Sequence, residues 1–139
     1  MHTDDFYRTS NEKVYAAGDV ASVYKFTHAA DWQARCAVRN AFLDAKCQKS
    51  RLLVPWCTYI DPEVAAVGAS DMDLEQAGIA FDTYMRHLKD VDRCKCDGID
   101  RGFVKIRTQK GGDKILGASI VAPHAGDCLL YTSPSPRDA

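Results

Sequence analysis

The sequence predicts an α+β chain built in two successive parts. Three observations carry this. Residues 12–45 run from an extended segment through Ala-Ala-Gly-Asp into one long helical pattern. Residues 102–121 alternate apolar and polar side chains around a Gly-Gly-Asp turn, the signature of an antiparallel hairpin. Between them, residues 48–52 are polar to mixed and the pattern changes at Pro55.

In the first part, Val14 and Tyr15 favour a strand, and Ala16-Ala17-Gly18 has almost no side-chain bulk. Such an ending lets a backbone approach a ligand closely. Asp19 then stands at the carboxyl end of the strand, where open α/β sheets bind ligands. Thr27 is the expected N-cap of the following helix. Ala30, Ala34, Ala37, Val38, Ala41, Phe42 and Ala45 recur at helical spacing as one apolar stripe.

In the second part, Trp56–Ile60 reads as a strand punctuated by Asp61-Pro62, and Val64–Val67 as another ending at Gly68. Ser70 is the expected N-cap of a helix through Ala77, stopped by Gly78. Phe81–Leu88 reads as a further strand. In the hairpin, Val104 and Ile106 face one side, while Lys105 and Arg107 face solvent or a partner. Cys128–Ala139, with its Thr-Ser-Pro-Ser-Pro core, is expected to be disordered and non-native.

Composition narrows the function. At 139 residues, 46% hydrophobic and 27% charged, the chain reads as soluble and globular. A net charge of −1 gives no field that would favour nucleic acid or an anionic membrane. No apolar run approaches the ~20 residues that span a bilayer, and Met1–Asp5 has no secretory character. The expected location is therefore intracellular, in the cytoplasm or an organelle. The six cysteines are irregularly spaced and read as reduced, small apolar residues. Cys94 and Cys96, with His87 nearby, lack the gaps and the second pair of a structural zinc site. No metal ligand is assigned.

Five segments together carry a resemblance: Val14–Val20, Phe26–Ala30, Pro55–Gly68, Gly102–Ile106 and Ile115–Val121. Over roughly residues 4–127 the chain resembles the carboxy-terminal third of the class I pyridine nucleotide–disulfide oxidoreductases. The mercuric reductase and dihydrolipoamide dehydrogenase branch is the nearest in flavour. The resemblance implies that residues 1–50 are the end of an α/β FAD-binding domain. It implies that residues 52–127 are a truncated antiparallel-sheet dimerisation domain, followed by a tail at 128–139.

The same resemblance implies the cofactors and partners. Asp19 matches the family aspartate that bonds the flavin ribityl chain, and Gly18 precedes it. Thr27, His28 and Ala29 match the helix start whose N–H groups face the flavin ring. The intact protein would bind FAD, use NADP or NAD, act on a disulfide or a mercuric-type ion, and form a homodimer. The family's dinucleotide fingerprint, redox cysteine pair and acid–base histidine lie outside this chain, so no catalytic residue is assigned and the fragment alone should be inactive. His124 precedes the family's catalytic segment, and Glu63 reads as a structural or interface group. The competing view is a free-standing, non-catalytic dimerisation module. If the chain is instead a fragment, loss of the sheet that helical Ala30–Ala45 should cover leaves that stripe exposed or imperfectly docked and residues 1–50 loosely held, with the core in residues 52–122.

Overall fold

The structure, a computed structural model, describes residues 1–132. It divides into two compact units, Met1–Val54 and Pro55 onward.

In the first unit the expected strand at Val14–Tyr15 shrinks to a single antiparallel bridge between Arg8 and Tyr15. The reason lies in where the backbone bonds go. Thr9 N donates to Val14 O at 2.9 Å and Ala16 N to Tyr7 O at 3.0 Å, so the segment pairs only with its own preceding turn. Gly18–Val20 then forms a short 3-10 turn leading to helix α1, Thr27–Leu43. Thr27 is not the N-cap. Phe26 holds that position in extended conformation, and Ala30 N closes the first turn on Phe26 O at 2.9 Å.

The buried face of α1 is Ala29, Gln33, Cys36 and Ala37; of the apolar stripe only Ala37 is buried. Ala34, Val38, Ala41 and Phe42 are exposed, and Ala45 lies beyond the helix end at left-handed Asp44. Tyr7 and the turn at Gly18 occupy the other face, which is why it is the buried one. The segment after α1 returns to the amino-terminus. Ser50 N and Oγ donate to the Asp5 carboxylate at 2.7 and 2.9 Å, and Lys49 N donates to Asp5 O at 2.7 Å.

The second unit is a five-stranded antiparallel sheet of order β1-β2-β5-β4-β3. The strands are Trp56–Thr58, Glu63–Gly68, Phe81–His87, Phe103–Gln109 and Ile115–Ala122, numbered β1 to β5. The expected hairpin is β4–β5. Gly68 and Gly117 pair where β2 meets β5, and a Cβ on either would strike the backbone of the facing segment. Helix α2, Asp71–Gln76, starts at the expected cap: Ser70 and Asp73 form a reciprocal capping box. A short helix α3, Asp92–Cys96, was not anticipated. Helix α4, Ala125–Thr132, follows β5. Cys128–Thr132 therefore continues a helix where disorder was expected, and the rest of the tail lies outside the described residues.

One sheet face holds the core: Ala65, Ile120 and Ala122 pack with Leu88, and with Ala125 and Leu129 of α4. Cys94 packs against this cluster and Cys96 is exposed, so α3 uses one of its two cysteines as an apolar side chain. The other face corrects the expectation for Lys105 and Arg107. Both pair with the Asp71 carboxylate at the start of α2, and Arg107 Nη1 also donates to Ser119 Oγ at 3.0 Å. Arg107 is only 5% exposed. An irregularity in the β4–β5 register falls between Arg107 and Thr108, and both residues are buried there.

The Asp71 pair generates a pH prediction. Hydrogen bonds from Lys105 and then Arg107 hold its carboxyl below the ordinary 3.8. A depressed folded value means the contribution is present above the ordinary value and is lost as pH falls through the folded one. Asp71→Asn should cost about 1–3 kcal/mol near neutral pH, because it leaves the Arg107 charge without its partner. The deficit should shrink as pH falls below the ordinary value of 3.8 and through the lower folded one. Hydrogen exchange of β4 and β5 amides measures it, and a deficit unchanged by acid would refute the ion-pair account.

Candidate functional site

The candidate site lies where the Gly18 turn meets the start of α1. Gly18 is buried with φ +75°, a region that disfavours any side chain. A Cβ there would also stand 3.3 Å from the Cβ of Ala30. Absence of a side chain therefore lets the turn cross directly over the first turn of the helix.

Gln33 locks this arrangement. It is 1% exposed, and its carboxamide is used at both ends. Gly18 N donates to Gln33 Oε1 at 2.8 Å, and Gln33 Nε2 donates to Ser22 Oγ at 3.0 Å. Ser22 Oγ also accepts from Tyr24 N at 3.0 Å. Lys49 Nζ donates to Ala21 O at 2.9 Å, a second anchor for the same turn. With both ends of the turn held, Asp19 and Val20 form its outward tip and are exposed.

Of the residues singled out from sequence, Gly18 and Ala29 are buried on the inside of this junction, while Asp19, Thr27 and His28 lie on its exposed side. The His28 ring stacks on Phe26, centroids 5.7 Å apart. The first turn of α1 contains no acidic residue, so its partial positive charge is not offset locally. A shallow hollow of about 190 Å³ lies beside it, lined by His28, Ala29 and Trp32 and by Arg51–Val54. Chemically, the junction offers an exposed carboxylate, which accepts hydrogen bonds from hydroxyls, and a helix start, which suits an electron-rich group.

Gln33 is the residue that sequence reasoning missed. Its only signal was a polar side chain four positions after Ala29, on the same helix face. In the second unit Glu63 caps α4: its Oε2 accepts from Gly126 N at 3.1 Å and from the Cys57 thiol at 3.7 Å. Burial and then this carboxylate push the Cys57 thiol up from its ordinary value. His124 sits exposed in the turn before α4 with φ 57°. Among the described residues, no three His, Cys, Asp or Glu side chains gather as a metal site, and no helix is long and apolar enough to cross a membrane.

Comparison with known proteins bears on this geometry. The chain is 32% identical to the mercuric reductase of Streptomyces lividans over 126 residues, 91% of this chain and 27% of that enzyme. It is 30% identical to the mycothione reductase of Mycobacterium tuberculosis, again over 91% of this chain and 28% of the relative. The chain thus spans little more than a quarter of the length of these relatives. Among solved structures, LpdA from Mycobacterium tuberculosis superposes with a TM-score of 0.79 at 31% identity, covering 92% of this chain and 28% of that one. The HOCl-induced flavoprotein disulfide reductase RclA from Escherichia coli shares the fold at 19% identity, with a TM-score of 0.75, over 99% of this chain and 36% of that one. The pyridine nucleotide-disulphide oxidoreductase dimerisation domain matches residues 54–133, beyond the point at Asp127 where the sequence resemblance stopped. With that domain covering more than half its length, the chain belongs to the pyridine nucleotide–disulphide oxidoreductases.

Proposed function

We propose that this chain is the carboxy-terminal part of an FAD-dependent NAD(P)H oxidoreductase acting on a disulfide or a mercuric-type ion. It would supply one wall of the flavin site and the surface that pairs two subunits. The observation that carries this is the Gly18 turn held over the start of α1 by Gln33. The residues fit the cofactor's chemistry. Asp19 would accept hydrogen bonds from ribityl hydroxyls, and the backbone N–H groups of Thr27, His28 and Ala29 would face the flavin ring. When bound, FAD supplies the two-electron chemistry between the nicotinamide and the sulfur or metal substrate. Gln33 contributes by fixing where Asp19 stands relative to α1.

A homodimer through the unit from Pro55 onward fits the family's description of this domain. Val64, Val121 and Phe103 form one half-buried apolar row across three strands, on the face opposite the α4 core. A second copy would extend its burial.

Two outcomes test the proposal. The isolated chain, given FAD with NADH or NADPH and a disulfide or mercuric substrate, should show no nicotinamide oxidation above the protein-free rate. Measured turnover would contradict the view that the electron path lies outside these residues. In the intact flavoprotein, Asp19→Ala should weaken FAD retention by about 10- to 100-fold, the scale of one charge-assisted hydrogen bond. Gln33→Leu should weaken it through misplacement of the same turn. Equilibrium dialysis measures both, and unchanged FAD retention in Asp19→Ala would remove that residue from the site.

A further inference from the structure

Cys36 and Cys47 form a thiol pair with no part in the proposed flavin wall. Cys36 lies on the buried face of α1 and is 3% exposed. Cys47 is half-buried and packs against the cluster of Tyr7, Cys36 and Ala37. The chain reaches that place through two left-handed residues, Asp44 at φ 45° and Lys46 at φ 52°.

Asn40 fixes the approach. It stands one helical turn beyond Cys36 on the same side of α1. Its Oδ1 accepts from Cys47 N at 2.7 Å, and its Nδ2 donates to Cys47 O at 2.9 Å. The same Nδ2 donates to Phe6 O at 3.0 Å, tying the pair to the amino-terminal turn. Cys47 is thereby packed into the same cluster as Cys36. Tyr7 closes the cluster: it is 1% exposed and its hydroxyl has no hydrogen-bond partner.

We propose that Cys36 and Cys47 are an oxidation site that closes to an intramolecular disulfide when the chain meets hydrogen peroxide. The two cysteines share one packed cluster, Cys36 on the helix and Cys47 on the backbone that Asn40 holds, so little rearrangement is needed to join them.

The order of events follows from exposure. Cys47, the more accessible thiol, loses its proton to solvent and attacks one peroxide oxygen. The O–O bond breaks, and the departing hydroxide takes up a proton as water. Two electrons pass from the Cys47 sulfur, which becomes a sulfenic acid. Cys36 then displaces the hydroxyl from the Cys47 sulfur. The S–S bond forms, and the Cys36 proton leaves with that hydroxyl as a second water. Burial pushes the Cys36 thiol up to about 11, so it keeps its proton until this second step. Burial likewise pushes the Tyr7 phenol up to about 12, so it stays neutral beside the pair.

Peptide mapping tests this on the full chain. Trypsin releases Cys36 in Cys36-Ala37-Val38-Arg39 and Cys47 in Cys47-Gln48-Lys49, each with one cysteine. The folded chain is treated with hydrogen peroxide, its remaining thiols are alkylated, and the digest is analysed without reductant. The expected result is a linked pair of these two peptides, lighter by two hydrogen atoms than their sum and lost on reduction. The same treatment in concentrated urea should reduce its yield several-fold, because the anchored geometry is then absent. Two results would overturn the proposal. One is recovery of both peptides as alkylated thiols at a dose that oxidises exposed Cys96. The other is an equal yield of the link in urea.

Discussion

The Gln33 carboxamide, buried in α1, accepts a hydrogen bond from Gly18 N and donates one to Ser22 Oγ. A buried amide left without partners costs about 1–3 kcal/mol, so these two bonds fix the turn rather than merely decorate it. Everything proposed for the first unit depends on that. Because Gly18 has no side chain, its backbone can press against Ala30, and Asp19 is carried to the exposed tip. A carboxylate and the start of a long helix are thereby held in one small region.

The unit from Pro55 onward rests on a different constraint. Strand β5 is central, pairing with β2 on one edge and β4 on the other. Its Ile120 and Ala122 enter the apolar core with α4, while Ser119 on the opposite face receives Arg107. The buried guanidinium is tolerable because the Asp71 carboxylate pairs with it and Ser119 Oγ accepts from it, while Lys105 also reaches the same carboxylate. The capping box at Ser70 and Asp73 holds the helix that presents Asp71. Local capping, an ion pair and sheet register thus support one another, as expected of a sequence with consistent local and global preferences.

Much of the second unit was legible because antiparallel strands have a period of two and turns have distinct residue chemistry. The β4–β5 hairpin and the Ser70 cap follow directly from those signals. The buried face of α1 was not legible, for a physical reason. Alanine lies on both sides of the helix, at 29 on one and at 30, 34 and 41 on the other, with Ala37 at the border, so periodicity cannot choose between them. The choice was made by Tyr7 and Gly18, which pack from elsewhere in the chain. Nor could alternation in β4 reveal that Asp71 would meet Lys105 and Arg107, since that contact is set by where α2 lands. In the tail, proline restricts only itself and the residue before it. Pro134 therefore leaves Cys128–Thr132 free to be helical, and the composition argument was carried too far upstream. The Cys36–Cys47 pair was invisible because it requires the left-handed turn at Asp44 and Lys46.

The central claim is that the Gly18–α1 junction belongs to a larger flavoprotein. The most direct measurement is the reading frame upstream of Met1 in RNA from the source organism. The account predicts continuous coding sequence with a Gly-x-Gly-x-x-Gly fingerprint between a strand and a helix, followed by a closely spaced cysteine pair. An in-frame stop codon just upstream of Met1, with no such segment, would contradict it.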